Sequence, residues 1–329
     1  MSRILEFTKE YRRIVVVQAE NPDADSLGSA LALEEALPNE IVSLYCPVQV
    51  PKYLRYLQGW DRVVDDFDLE AEAAIIVDTS AQILLSKTLM KPEIANFLQN
   101  KPVLVIDHHE TEPDLPFEFA EIRAPVESTT RLIFEDLTED GQTISASVAQ
   151  NLLAGLMSDT LGLTTASTGA GSFRLAADLI DRGANIYQLE QSRYELMKKS
   201  QRVLRYKADL IERVEYHLDG RLATVLIPFE EIQKYSDEYN PNVLILDELR
   251  MVEGVELAVA LKTYPDGKLT GKLRASKPVA EELAAAFGGG GHPYAAGFRI
   301  YEDYAKFLPE LIKVAADLLE RLETDEEAG

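Results

Sequence analysis

The chain has 329 residues, with 33 Lys and Arg against 56 Asp and Glu and a formal net charge of −23. With 46% hydrophobic and 27% charged residues it has a globular composition, which excludes disordered and fibrous classes. Its length predicts about two domains, no stretch approaches the ~18 apolar residues of a membrane span, and the one cysteine, Cys46, excludes an intrachain disulfide and a thiolate zinc cluster. In chain order, the opening MSRILEFTKEYRRIVVVQAE holds only a short apolar run before acids appear, so a secretory leader is not expected and a cytoplasmic protein is. The runs Ile14–Val17, Ala73–Val77 and Val103–Ile106 read as strands buried on both faces, as in a parallel sheet. Helices are predicted over 26–37, from near Pro51, over 81–98, 128–137, 145–157 and 173–182. This alternation predicts an α/β fold, a doubly wound parallel sheet.

Beyond Ile186 a charged helical stretch, 187–215, reads as a connector between a domain over 1–186 and a smaller mixed α/β domain over 216–329. In the latter, 221–227, 255–263 and 269–275 alternate as strands, with Pro265-Asp266-Gly267 as a turn. A helix over 278–287 leads into GGGGHPYAAGF, an amphipathic helix over 303–322 follows, and the tail from Glu323 is expected to fray.

Each predicted buried strand runs into an aspartate: Asp23 and Asp25 after the first, Asp78 after the second, Asp107-His108-His109 after the third. The carboxyl ends of parallel strands open into one crevice, so these side chains are expected to converge, with Asp159 at a helix end as a further carboxylate. Several carboxylates in one crevice repel unless cations neutralise them or some keep a proton. Carboxylates with one or two imidazoles suit manganese or magnesium better than zinc, and two such ions can share a carboxylate and activate water for attack on phosphorus. An acidic chain also repels long duplex nucleic acid, and neither that nor a membrane is an expected partner.

The segments NPDADSLGSALAL, VDTS, DHH and SDT, followed by GGGGHPYAAGF, resemble the DHH phosphoesterase superfamily with its DHH-associated glycine-rich C-terminal domain. Within it the chain is most similar to the stand-alone nano-RNase and pAp-phosphatase type. The resemblance implies a manganese-dependent hydrolase, with magnesium as a substitute, acting on short oligonucleotides, linear dinucleotides or pAp, and it is compatible with a homodimer. It implies Asp23 for the first metal, Asp25 for the second, Asp78 bridging both, and His108 and Asp159 on the second. His109 would contact the scissile phosphate and Asp107 would orient an imidazole. It implies that Arg274, Ser276 and His292 grip a terminal phosphate or the nucleotide; read from the residues themselves, the run with Gly289, Gly290 and Gly291 lets backbone approach an anion closely, and Arg131 on the predicted helix after Ser128 is a candidate positive contact. Alternatives within the family are a cyclic-dinucleotide phosphodiesterase and a single-strand exonuclease.

One departure stands out. The family pattern places His four residues before the first Asp, where this chain has Ala19, and all four histidines lie elsewhere. Gln18 and Glu20 flank the gap, but strand alternation points them off Ala19's face. A weaker first metal site is therefore expected; the competing reading is a nucleotide-binding module that no longer cleaves.

Overall fold

The computed structural model describes residues 2–38, 41–139, 141, 143–236 and 238–328, with side chains through 324. The chain divides after Lys198 into two compact units. That point separates the Ile186–Met197 and Gln201–Glu212 helices, so the stretch 187–215 is shared between the units rather than standing apart.

In the first unit six strands, β1 (Arg13–Val17), β2 (Ile41–Tyr45), β3 (Val63–Val64), β4 (Ala73–Val77), β5 (Val103–Asp107) and β6 (Ala120–Arg123), form an all-parallel sheet in the order β3-β2-β1-β4-β5-β6. The β-branched runs of β1, β4 and β5 are buried on both faces. Ile14, Val16, Ile75, Val77, Leu104 and Ile106 pack against one helical layer, while Val15, Val17, Ile76 and Val105 pack with Phe67 and Phe97 on the other side. The first layer includes the Ala24–Ala36 and Ala146–Asp159 helices, which approach so closely that a Cβ on Gly28 would lie 2.5 Å from the Asn151 carbonyl oxygen. Strand order reverses between β1 and β4, the position where open parallel sheets bind ligands.

Several expected elements differ. The helix anticipated near Pro51 is two 3-10 turns, Lys52–Leu54 and Trp60–Arg62, the second entered through Gly59 at φ 94°. The 81–98 stretch is a 3-10 turn, a four-residue helix and a separate Pro92–Asn100 helix, because proline lacks the N–H that would carry a helix through it. β2 and β6 were not predicted: both carry exposed residues that dilute the apolar signal. The tail does not fray where expected, since the last helix runs Tyr304–Ala328.

The second unit holds a mixed sheet of β7 (Glu215–His217), β8 (Leu222–Ile227), β9 (Leu257–Thr263), β10 (Lys268–Ala275), β11 (Gly290–His292) and β12 (Ala295–Tyr301), ordered β11-β12-β10-β9-β8-β7. Only β8 and β9 pair in parallel. The four-glycine run is thus partly an edge strand rather than wholly a loop. Among the described residues no helix is long and apolar enough to cross a membrane.

Candidate metal centre and phosphate-binding face

The crevice at the carboxyl ends of β1, β4 and β5 is built by backbone as much as by side chains. Asp23 caps the Ala24–Ala36 helix, its Oδ1 accepting the N–H groups of Asp25 (3.0 Å) and Ser26 (2.9 Å). That cap starts the helix so that Asp25, two residues on, is fully buried. Asp25 accepts three hydrogen bonds at the start of the Thr129–Thr138 helix: from the N–H of Thr129 (2.6 Å), the N–H of Thr130 (3.0 Å) and the Thr130 hydroxyl (2.7 Å). Gly155 makes room for this cradle, since a Cβ there would meet Asp25 Oδ1 at 2.5 Å and Thr130 Cγ2 at 2.4 Å.

Asp78 follows β4 in the left-handed region, φ 63°, which is costly for a residue with a Cβ. Its N–H donates to the Ile106 carbonyl at 2.8 Å and its Oδ1 accepts from the Thr129 hydroxyl at 3.0 Å, which holds the unusual backbone in place. His108 has Nδ1 3.0 Å from the Val126 carbonyl. A carbonyl only accepts, so Nδ1 carries a proton and Nε2 is the ring nitrogen turned toward the acids. That Nε2 lies 3.3 Å from Asp159 Oδ2 and 3.6 Å from Asp78 Oδ1.

One ligand atom each from Asp25, Asp78, His108 and Asp159 all lie within 4.8 Å of one another. Ligands on opposite sides of an ion bonded at ~2.2 Å are ~4.4 Å apart, so the four atoms match one divalent ion in spacing. Three carboxylates and an imidazole nitrogen also suit that ion chemically. Burial drives the carboxyl of Asp25 up, and burial with the charges of Asp25, Asp23 and Asp159 drives Asp78 well up. Asp159 is pushed up to about 9 by burial and by the neighbouring Asp25 and Asp23. Without a cation these groups hold protons they would otherwise lose.

Asp23 stands outside this four-residue group: it is exposed, and its Oδ1 is occupied as a helix cap. His109 is half exposed beside the site, its Nδ1 2.7 Å from Asp107 Oδ1. Asp107 is buried and also accepts from Ser80 Oγ at 2.6 Å. Burial raises Asp107, but the hydrogen bonds from His109 and Ser80 outweigh it and hold the carboxyl below its usual range; the same hydrogen bond raises His109. Arg131 reaches a cavity of about 560 Å³ that also borders His108 and His109, yet its guanidinium is already paired with Glu127 (2.6 Å) and Glu135 (2.7 Å). Sequence reasoning passed over Thr129, Thr130, Ser80 and Gly155; Ser128-Thr129-Thr130 before an apolar run is a legible helix start, but nothing in it names Asp25 as the partner.

In the second unit, strand register sorts the expected phosphate contacts. Arg274 is level with Ala295 on β12, which is level with His292 on β11; Lys272 is level with Gly297 and Gly290. Lys262 is level with Thr270, one step further along. Lys262, Lys272, Arg274 and His292 therefore share one sheet face, floored by Gly290, Ala295 and Gly297, while Leu257, Val259 and Leu273 turn into the core. A Cβ on Gly297 would crowd the Lys272 ammonium at 3.1 Å. No ion pair among the described residues engages Lys262, Lys272 or Arg274; Lys262 Nζ donates to Asn240 Oδ1 at 3.0 Å and Arg274 to the Leu273 carbonyl. Burial and the neighbouring Lys272 push Lys262 down. Ser276 Oγ, in contrast, is near backbone carbonyls of Val255 and Glu256, at 3.4 and 3.3 Å. Of the aromatic residues near this face, Phe287 packs with Phe298 and Phe307, whereas Tyr294 is exposed.

The family model described as the DHH family, N-terminal domain, matches residues 13–156, and the DHHA1 domain model matches 232–321. The chain belongs to the DHH family. Its DHH domain supplies the metal-type cluster, and its DHHA1 domain supplies the basic sheet face. A Thermus thermophilus protein named bifunctional oligoribonuclease and PAP phosphatase NrnA is 27% identical over 280 residues, covering 84% of this chain and 81% of its own length. A probable manganese-dependent inorganic pyrophosphatase of Streptococcus agalactiae is 29% identical over 202 residues, 56% of this chain and 60% of its own. The crystal structure of an exopolyphosphatase-related protein from Bacteroides fragilis superposes with TM-score 0.80 at 23% identity, covering 97% of this chain and 94% of that one, and shares its fold.

Proposed function

We propose that this DHH chain is a divalent-ion-dependent phosphohydrolase that cleaves phosphoester bonds of short oligonucleotides, linear dinucleotides or pAp, with manganese preferred and two ions in the working state. The observation that carries the reading is the convergence of Asp25, Asp78, His108 and Asp159 beside His109. Likeness to the oligoribonuclease and PAP phosphatase relative supports the substrate class, and likeness to a manganese-dependent pyrophosphatase supports the ion. Divalent ions in such a cluster supply Lewis acidity and lower the pKa of water. Asp25, Asp78, His108 and Asp159 would hold the ions, with Asp23 at the edge. The Thr129 and Thr130 donors keep Asp25 and Asp78 aimed. His109, protonated through its bond to Asp107, meets the scissile phosphate and gives its Nε2 proton to the leaving oxygen. Arg274, His292 and the glycines of β11 take the terminal phosphate, and Arg131 serves as a secondary contact.

The test is turnover by the purified chain, with manganese, of a labelled dinucleotide, pAp, a cyclic dinucleotide and a long single strand. Preference for the first two is expected. Turnover of the cyclic or long substrate at equal rate would move the reading to the family's other activities. Binding of all four without cleavage of any would end the hydrolase reading.

A further inference from the structure

The two ions of the proposed reaction need not be held alike, and the residues around Ala19 decide the matter. On the Asp25 side, four side chains converge, each aimed by a neighbour: Asp25 by Thr129 and Thr130, Asp78 by Thr129, His108 by Val126, and Asp159 by the end of its helix. On the Asp23 side each flanking donor is engaged elsewhere, turned to another face or missing. Ala19 is buried and offers a methyl group, and its carbonyl accepts from the Cys46 thiol at 3.4 Å. Glu20 is turned to the 82–89 segment, accepting from Ser86 Oγ at 3.0 Å and the Lys87 N–H at 2.9 Å. Gln18 is fully buried with neither amide atom hydrogen-bonded, and strand alternation sets it with Ile14 and Val16, whose side chains pack among Leu27 and Leu31.

A further group within 4.8 Å joins Asp78 and His108 to His109, whose Nδ1 is bound to Asp107 and whose Nε2 carries the proton of the proposed reaction, so what remains for a second ion is a carboxylate oxygen each of Asp23 and Asp78. Ions of the manganese and magnesium class take about six oxygen ligands, so two protein donors leave most of the shell to other molecules. A phosphate group carries charged oxygens able to complete it. Resting on the two-ion reading above, we infer that this chain holds one divalent ion with its own side chains and takes the second only together with a phosphate of the substrate. Substrate and second ion therefore bind with positive coupling: each raises the affinity for the other.

The experiment titrates the full-length, metal-free chain with Mn²⁺, following heat of binding and the paramagnetic resonance of free Mn²⁺, with and without inorganic phosphate as the probe. One tight equivalent is expected without phosphate and two with it. Ala19→His is expected to bring the second equivalent without phosphate, strengthening it about tenfold or more. Gln18→Leu is expected to leave both titrations unchanged. Two equivalents of similar affinity in the unsubstituted chain without phosphate, or a lost equivalent in Gln18→Leu, would overturn the inference. The phosphate dependence needs no variant, so it decides the matter even if a histidine at position 19 impairs folding. Absence of any tight ion would remove this inference and the hydrolase reading together. An intact one-then-two pattern without turnover would remove only the substrate reading.

Discussion

The crevice of the first unit and the basic sheet face of the second are opposites. In the crevice, Asp25, Asp78 and Asp159 are crowded together with no lysine or arginine among the cluster's members, and burial together with neighbouring carboxylates pushes their carboxyls up. On the sheet face, Lys262, Lys272 and Arg274 have no ion pair among the described residues, in a chain of net charge −23 where carboxylates are plentiful. One region gathers carboxylates, and the other gathers cations beside a single acid, Asp247. Burial makes the acidic side the costly half of this contrast, because buried unpaired charge is destabilising, whereas Lys272 is exposed, Arg274 is half-buried and Lys262 is hydrogen-bonded to Asn240. The contrast is therefore a functional signature: the first region suits metal ions and the second suits phosphate.

The largest effect should come from breaking the acidic side. Asp78→Asn removes the residue proposed to serve both ions, and hydrolysis should fall on the order of a thousandfold or more, measured as kcat at saturating Mn²⁺. The same variant should melt higher than the parent in EDTA, because it relieves repulsion that only the ion relieves in the parent. A lower melting temperature in EDTA would show that the cluster is not strained by its own charge.

Acidity gives the next test. In the metal-free chain Asp159 keeps its proton to about 9, far above its ordinary 3.8. The unfolded chain loses that proton first, so the folded state binds more protons and stability falls as pH rises between about 4 and 9. Thermal melts in EDTA should drop across this window, and the gain on adding Mn²⁺ should grow with pH. A flat profile would separate Asp159 from the cluster's electrostatics.

Gly155→Ala probes the packing behind the acids. A methyl group there meets Asp25 and Thr130 well inside contact distance, so Asp25 must shift. Mn²⁺ affinity should weaken about tenfold to a hundredfold with a smaller loss of stability, read by titration and melting. On the basic side, Arg274→Ala should raise KM for a substrate with a terminal phosphate by about tenfold with little change in kcat. Equal effects on kcat would place Arg274 in the chemical step instead. The smallest effect is expected from Gln18→Leu, which removes a buried amide with no partner and should stabilise the chain by about 1 kcal/mol in denaturant unfolding.

Legibility in the sequence followed the range of the interactions. β1, β4 and β5 were readable because continuous β-branched runs signal burial on both faces, and the acids that follow them were readable as one crevice because parallel topology brings strand ends together. β2 and β6 were not, since Ile41 and the Ala120–Arg123 edge carry exposed residues that break the pattern. Asp23 shows the limit for a site residue. Its position in a motif suggests a ligand, but the same position makes it a helix cap, and only the fold shows it exposed at the edge of the cluster while Asp25 is buried within it.

From the amino-acid order alone came the parallel α/β class, the family resemblance, the acids at strand ends and the alanine where a histidine is expected. Those depend on local pattern and on topological rules that hold for any chain of this type. Tertiary structure alone decided that Thr129 and Thr130 aim the carboxylates, that Val126 orients the ring of His108, that Glu20 is drawn away to Ser86, and that, among the described residues, three cations line one sheet face without an ion pair. Each of these joins residues that are distant in sequence or selects one partner among several, and such choices are made only when the chain packs.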